Sequence, residues 1–271
     1  MSDFMRHNAA EVSFATAESW VILSPIEMSI KRKIESVGVP LREWDINIYR
    51  GVLTGYNEAF IISTDKRNEI LANCQSDEER QRTEELIRPI LRGRDIKRYG
   101  YEWASLWLIN SHNGINGKLE RIHIEDYPAV KAHLDQYWDK ISTRADKGDT
   151  PYNLRNCAYL DDFSKPKIVY REISIEMEAA IVPENWMINN KLYMITSSEP
   201  KNLGYICAFL NSKLFSKIIL TAVNFGGGKG VDFLGNIKLP QLILDDLKYD
   251  NPFFYSIYGL SKEEIKFIES L

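Results

Sequence analysis

The sequence predicts a mixed α+β fold, in which several short curved β-sheets are braced by helices. Of the 271 residues, 44% are hydrophobic and 27% are charged, which is typical of a folded protein. Apolar residues alternate over short runs bounded by turn residues, whereas other segments show helical spacing. No glycine-rich turn follows a predicted strand and opens a helix, so a doubly wound nucleotide-binding fold is not expected.

The predicted helices begin at capping residues. Ser24 is followed by Pro25 and Glu27, a capping box with proline at the first helical position, and Gly38 ends this helix. Ser76 opens a second capping box, and its helix is predicted to run to residue 91. Further helices are predicted at 126–141, 200–223 and 261–270. The predicted strands are short, with a loop at 147–156, and they lie at 46–49, 59–62, 106–110, 167–170, 181–182 and 192–195.

Charge and cysteine content exclude several classes of protein. The net charge is −4, so any nucleic-acid site has to be a local basic patch on an acidic body. The three cysteines, Cys74, Cys157 and Cys207, lie far apart, which favours a reducing compartment over disulfides or structural zinc. Because the chain shows neither a signal peptide nor an apolar run of about 18 residues, we expect a soluble cytoplasmic protein without a membrane partner.

Catalytic motifs are not found in the sequence. The four histidines have no metal-ligand spacing, and the run Gly226–Gly230 with Lys229 follows a helix, unlike a phosphate-binding loop. We interpret that run as a connector or a close backbone approach to DNA phosphates. The tetrapeptide at 251–254 resembles the base-binding motif of adenine methyltransferases, but Phe253 replaces its second proline. We interpret that likeness as coincidental, and we expect no catalytic residue, metal or cofactor in this chain.

A basic segment is the most informative feature. Residues 92–99 read RGRDIKRY, with basic residues on both sides of a glycine and with Tyr99 and Tyr101 at or after the end of the segment. Arginine and lysine neutralise phosphates, and an aromatic ring packs on a sugar or a base. On residue chemistry alone, a DNA-binding segment and a solvated surface loop both stay open.

Several segments together resemble the TaqI-like C-terminal specificity domain, which occurs in type II restriction-modification enzymes. Residues 54–60 read TGYNEAF and residues 92–99 read RGRDIKRY, both similar to characteristic blocks of that family. Three more similar blocks follow in the same order at 163–174, 190–195 and 205–215. The resemblance implies a DNA target recognition domain at 21–245, which a boundary near 147–156 could divide. Residues 1–20 would then be an arm or the remnant of an upstream helical linker, and 246–271 a C-terminal tail and helix.

The resemblance also implies the partners of this chain. It would read a short sequence in double-stranded DNA for a methyltransferase or nuclease domain, attached upstream or supplied as a separate subunit. In the parent enzyme, adenine-N6 methylation would use S-adenosylmethionine and cleavage would use Mg²⁺. Two alternatives stay open: a chain that is itself a methyltransferase or nuclease, and an interaction module or specificity subunit that docks a catalytic subunit.

The residues expected at DNA come from the similar blocks and from the loops beside them. The blocks at 54–60 and 92–99 are mostly framework in the family. Tyr56 and Asn57 are therefore predicted either to contact DNA or to have a purely structural role in the turn. Arg92, Arg94, Lys97 and Arg98 are predicted phosphate contacts. The predicted base readers, all on loops, are Asn153, Arg155, Asn156 and Lys229. The remaining predicted DNA-binding residues are Arg50, Lys165, Lys167, Arg171 and Lys191.

Overall fold

A computed structural model describes residues 23–174, 176–219, 231–242 and 249–271 of this chain. The chain divides into two compact units, one of residues 45–207 and one that joins residues 1–44 to residues 208–271. The predicted arm at 1–20 and the candidate Lys229 lie outside the described residues. The segment 147–156 lies within the first of these units, and the predicted domain boundaries stay predictions.

The strands are short, as predicted. The described residues form β1 Val39–Pro40, β2 Ile46–Arg50, β3 Ile61–Ser63, β4 Ile87–Leu91, β5 Ile96–Lys97, β6 Gly100–Tyr101, β7 Leu106–Ile109, β8 Lys167–Arg171, β9 Ala179–Val182, β10 Met187–Ile188, β11 Leu192–Ser197 and β12 Lys238–Leu239.

Helices lie before, between and after these strands. They are α1 Pro25–Ser36, α2 Asn57–Phe60, α3 Thr64–Ala72, α4 Asp77–Leu86, α5 Pro128–Asp135, α6 Trp138–Ile141, α7 Pro200–Leu210, α8 Val231–Asn236, α9 Asn251–Ile257 and α10 Lys262–Ser270. Short 3-10 turns occur at Leu41–Glu43, Gly93–Asp95, Ile124–Asp126 and Leu160–Ser164, and a π-helical turn at Leu214–Ile219. The predicted α+β fold class is confirmed.

The unit of residues 45–207 contains two four-stranded sheets. The first has the order β2-β11-β8-β9, and all its neighbouring strands are antiparallel. In its register Arg50 lies opposite Tyr193 and Arg171 lies opposite Leu192. The carboxyl ends of β2 and β8 therefore meet the beginning of β11, and three cationic residues, at 50, 171 and 191, are brought to one edge.

The second sheet has the order β10-β4-β7-β3, with β10 parallel to β4 and the other pairs antiparallel. The helix predicted at 76–91 ends at Leu86, and the residues that follow form the central strand β4 of this sheet. Pro89 has no N–H for a helical hydrogen bond, and the buried Ile87, Ile90 and Leu91 pack in the apolar core. The preference of these residues for a pleated buried surface overrides the helical spacing.

The two sheets are joined by a close approach of backbone at Gly51. Val52 N–H donates to the carbonyl of Ile188 at 2.8 Å, and a Cβ atom built on Gly51 would lie 2.1 Å from the carbonyl oxygen of Asn189. Only glycine fits there without moving the backbone. The strand ends Arg50 and Ile188 are consequently fixed beside each other.

The remaining corrections concern short segments. Residues 59–62, predicted as a strand, divide into the one-turn helix α2 and the strand β3, because the turn that begins at Thr54 continues into helix and buries Ala59 and Phe60. The predicted helix 126–141 is interrupted between α5 and α6. The predicted helix 200–223 ends at Leu210 and is followed by the π-helical turn; residues 220–223 lie outside the described residues.

The other unit is built from helices and the two-stranded sheet β1-β12. The predicted capping box of α1 is present, since Ser24 and Glu27 exchange hydrogen bonds. The buried Glu264 joins helices, because its carboxylate accepts hydrogen bonds from Ser29 Oγ at 2.7 Å and Lys33 Nζ at 2.6 Å. Asn251 opens α9 and accepts a hydrogen bond from the Lys213 backbone N–H, which gives this asparagine a structural role.

Candidate nucleic-acid interface

Basic side chains converge where the strands β2, β4 and β8 end. We call this surface the basic edge, and it comprises Arg50, Arg92, Arg94, Arg171 and Lys191. A Cβ atom built on Gly93 would lie 3.7 Å from Lys191 Cβ, and Glu172 N–H donates to the Lys191 carbonyl at 3.0 Å. The structure therefore brings together five of the residues that the sequence predicts at DNA, from segments up to 141 residues apart in the chain.

Three members of the basic edge are engaged by acidic partners. Arg50 pairs with Glu172 at 2.9 Å, and Arg171 pairs with Glu178 at 2.8 Å while donating to the Ile96 carbonyl at 2.6 Å. Arg92 is more deeply set, with its guanidinium bound to the buried carboxylate of Asp95 at 2.9 and 3.1 Å. These contacts fix the segment 92–97 against β8, so part of the positive charge has a structural role.

The other two members carry uncompensated charge. Arg94 and Lys191 are exposed, and neither side chain has a hydrogen-bonding or acidic partner within the described residues. Arg98, four residues beyond Arg94, is exposed, and its guanidinium lies 5.4 Å from the centroid of the Tyr99 ring. Lys97 lies 3.6 Å from Glu102, and both side chains are largely in solvent, where such a pair is weak. These side chains are therefore available to an anionic partner.

A cleft of about 400 Å³ adjoins the basic edge. Its walls come from the residues that follow β2, from the end of β7 and from the loop before the turn at 160–164. Arg50 belongs both to the basic edge and to the cleft lining, and Asn190, next to Lys191 in the chain, also lines the cleft. The other lining residues are Gly51, Val52, Leu53, Asn110, His112, Leu154, Arg155, Asn156, Cys157, Ala158, Tyr159 and Leu160.

Neutral polar groups line the cleft near β7. Asn110 directly follows β7, and its Oδ1 is buried without a hydrogen-bond partner in the described part of the chain. His112 Nδ1 accepts a hydrogen bond from the Gly114 backbone N–H at 3.2 Å, so the neutral ring carries its proton on Nε2. Burial lowers the pKa of His112, which keeps the ring neutral at physiological pH. The part of the cleft near β7 thus offers neutral hydrogen-bonding groups, whereas Arg50 and Arg155 supply charge elsewhere in its lining.

The loop that carries Arg155 and Asn156 is held in place from below by Arg144. The buried guanidinium of Arg144 donates to the carbonyls of Thr54, Asp146, Pro151 and Asn153, and it lies 4.4 Å from the ring of Phe60. Burial lowers the pKa of Arg144 to about 10, so the group stays charged at neutral pH. The turn at Thr54 and the loop at 146–153 are thereby tied to one side chain.

Arg155 lies at the mouth of the cleft, where its side chain is exposed and 3.3 Å from Asp146. Asn156 Oδ1 accepts a hydrogen bond from Asn113, which in turn bonds Asp149. Tyr159 stacks on Tyr49 with 4.2 Å between ring centroids. Burial raises the pKa of Tyr159 to about 12, so its hydroxyl stays protonated.

Several predicted contacts lie inside the domain. Asn153 is 1% exposed, and its side chain bonds the carbonyls of His112 and Ile122 and the hydroxyl of Thr150. Lys167 is fully buried and donates to two carbonyls; burial lowers its pKa to about 8. Neither side chain offers a surface to DNA, because burial places its polar atoms among protein partners.

The remaining predicted residues have framework contacts. Asn57 accepts a hydrogen bond from Thr54 Oγ1 at 2.6 Å, and the half-buried Tyr56 packs against Tyr137. Lys165 pairs with Asp162 at 2.8 Å. We therefore assign Tyr56 and Asn57 to the turn before α2, which is the structural alternative that the sequence left open.

The sequence did not reveal Asn110, His112, Arg144 or Asn190. Three of them follow the end of a strand directly or closely, which is the one sequence signal that could have indicated them. Arg144 could not be found, because its four carbonyl partners come together only in the folded chain.

Within the described residues, no group of three or more His, Cys, Asp or Glu side chains could hold a metal ion. Among the described helices, none has the length and apolar character of a membrane span.

Residues 88–229, more than half of the chain, match the family model of the TaqI-like C-terminal specificity domain. The chain belongs to this family. Its function as a specificity domain is DNA sequence recognition. A comparison with curated proteins found no match.

Two solved structures have a loosely similar fold. One is the Type IIL restriction-modification enzyme MmeI in complex with DNA, with a TM-score of 0.47 and 15% identity over 76% of this chain and 26% of that chain. The other is the type IIG restriction endonuclease BpuSI, with a TM-score of 0.46 and 12% identity over 92% of this chain and 28% of that chain. This chain thus spans about a quarter of the length of each enzyme, and its family membership rests on the sequence match.

Proposed function

We propose that this specificity domain binds duplex DNA with the basic edge on phosphates and with the adjoining cleft toward the bases. Arg94, Arg98 and Lys191 carry the phosphate contacts, and Arg50 and Arg155 flank the cleft. Phosphate contacts fix the position of a protein on DNA, whereas groups at base edges supply sequence preference. A charged rim around a largely neutral cleft suits this division.

The observation that carries the proposal is the unequal pairing of the cations. Arg92 and Arg171 are bound to acidic residues, whereas Arg94 and Lys191 lie beside them on the surface with no acidic partner in the described residues. On a protein with a net charge of −4, adjacent uncompensated cations mark a local site for an anion. DNA phosphate is the anion that the specificity family requires.

The chemistry of the whole protein belongs, in this proposal, to a linked catalytic domain, in cis or in trans. That domain would transfer a methyl group from S-adenosylmethionine to adenine N6, or cleave DNA with Mg²⁺. The described residues here show neither a metal-binding group nor a glycine-rich turn after a strand. Their part is to hold a chosen sequence in position for that domain.

The salt dependence of binding tests the basic edge. The variant R94A/R98A/K191A is compared with K140A/K262A/K266A, which removes the same charge from exposed lysines that have no partner in the described residues. Each lost phosphate contact reduces the slope of log K against log salt by about 0.9 on duplex DNA. We expect the first variant to flatten the slope by about 2.7 and to weaken binding to all duplexes about equally.

The titrations use the full chain and a mixed-sequence duplex pool at low salt, with circular dichroism to verify folding. The control variant should keep the wild-type slope. Equal slopes for the two triple variants would refute the proposal, because the charge removed would then act only through the net charge of the protein.

A further inference from the structure

The amide of Asn110 differs from the other cleft groups because its oxygen is buried and no described residue donates a hydrogen bond to it. Its Oδ1 is buried without a partner, whereas the amide of Asn153 nearby is fully bonded. A buried carbonyl oxygen without a hydrogen bond destabilises the folded state, so such a group in a native protein needs an explanation. Asn110 lines two adjoining hollows, the cleft and a second one beside Arg88.

The backbone of Asn110 is held by two hydrogen bonds, whereas its side-chain Oδ1 has no partner in the described residues. Its N–H donates to the Leu86 carbonyl at 3.2 Å, and its carbonyl accepts from the His112 N–H at 2.7 Å. The terminal amide torsion has a broad energy profile, so the amide can rotate and bring Oδ1 from its shielded position into the cleft. A rigid backbone with a rotatable amide suits a group that forms its hydrogen bonds with an incoming ligand.

The surroundings favour a nucleobase over a phosphate as that ligand. Asn110 and His112 are neutral, and the charged Arg50 and Arg155 lie on the rim of the cleft. An amide donates and accepts at once, and this pattern matches the N6 amino group and N7 of adenine in the major groove. His112 keeps its Nε2–H as a further donor beside it.

We propose that Asn110 is a specificity-determining residue that reads an adenine of the recognition sequence through its amide. This inference rests on the proposed function, since the basic edge has to bring the duplex to the cleft. On this interpretation Asn110 Oδ1 lacks a partner in the described residues because its hydrogen bond forms only when DNA is bound.

The test is a change of base preference. The full chain and the variants N110D and N110A are each used to select duplexes from a randomised pool, and the bound sequences are counted. The control is N68A, which removes an exposed amide from α3 that has no partner in the described residues. Thermal unfolding of each variant verifies that it folds.

For N110A we expect loss of an adenine preference of about tenfold or more at one base pair, with the other positions unchanged. N110D has a side chain that only accepts, and cytosine offers a donor at N4, so its preference at that pair should move from adenine to cytosine. N68A should select the same sequences as the wild type.

Two outcomes would overturn the inference. Unchanged base preferences in both Asn110 variants, with a lowered melting temperature, would show that the amide is structural. A change confined to overall affinity, with folding intact, would show that the amide contacts DNA without reading a base. If the basic-edge triple variant still flattens the salt slope in either case, the proposed function stands and only the role of Asn110 falls. If wild type and triple variant have equal slopes, the proposed function itself fails.

Discussion

The pair of arginines at 92 and 94 offers a sharp test of which cations face DNA. Both lie in the RGRDIKRY segment, and the sequence assigns both to phosphate. In the structure Arg92 is bound to Asp95, whereas Arg94 is exposed without an acidic partner in the described residues. We therefore predict that Arg92→Ala lowers stability and leaves the salt slope of DNA binding unchanged. Arg94→Ala should leave stability unchanged and flatten the salt slope.

The size of the stability effect follows from the contacts of Asp95. Its carboxylate, 4% exposed, accepts from the Arg92 backbone N–H at 2.8 Å and from the guanidinium at 2.9 and 3.1 Å. Removing the guanidinium leaves the backbone bond but strands a buried charge. Breaking a fully buried pair costs about 3–5 kcal/mol, and because the Arg92 side chain is 21% exposed we reduce this to about 2–3 kcal/mol.

The assay is thermal unfolding followed by circular dichroism, together with DNA titrations at several salt concentrations. For a unit of this size, about 2–3 kcal/mol corresponds to a fall in Tm of roughly 4–12 °C. Arg94→Ala should leave Tm unchanged and flatten the salt slope by about 0.9. An unchanged Tm for Arg92→Ala, with a flattened slope, would refute the reasoning, because Arg92 would then be a phosphate contact.

Two further predictions concern buried positions. Burial lowers the pKa of Lys167 to about 8, so the unfolded state binds more protons than the folded state between pH 8 and pH 10.5. The unfolding free energy of the wild type relative to Lys167→Met should therefore rise by about 3 kcal/mol across that window. Parallel pH profiles of the two proteins in urea unfolding would contradict this. Gly51→Ala should destabilise the protein by about 3 kcal/mol, because the new Cβ would lie 2.1 Å from the Asn189 carbonyl oxygen. Gly204→Ala, in open space within α7, should stabilise it by about 0.5–1 kcal/mol. Similar melting temperatures for the two variants would rule out the close approach at Gly51.

Local signals were read correctly from the sequence. The capping box predicted at Ser24 is present, the helix predicted at 261–270 is observed as α10, and the strands predicted at 46–49, 106–110 and 192–195 are observed within one or two residues. Each of these depends on neighbours within a few positions, on a capping hydroxyl or on alternation over one strand. At Ser76 the hydroxyl accepts from the Glu79 N–H, but the Glu79 carboxylate accepts from Gln75 and Ala129 instead of Ser76, so only half of the predicted box forms. The helix predicted through residue 91 was wrong beyond Leu86, because the partners of β4 come from residues 107–109 and 187–188.

The site was predictable in residue type but not in role. Sequence composition identifies cations, whereas their availability depends on partners such as Glu172, which is 122 residues from Arg50. Asn153 and Asn110 are both asparagines beside a loop, and only folding distinguishes them. One has every polar atom of its side chain engaged, and the other has a buried oxygen without a partner in the described residues.

The contacts separate the residues that hold the domain together from those that face the cleft. Arg144, Lys167 and Arg171 donate to backbone carbonyls, and those bonds tie loops to the sheets without depending on which side chains the loops carry. The cleft residues instead lie beyond the ends of β2 and β7, where a side chain can change without altering strand register. Substitution at Asn110 therefore alters the surface offered to a base while the carbonyl-bound framework stays in place, and a domain built in this way can change its recognition sequence without refolding.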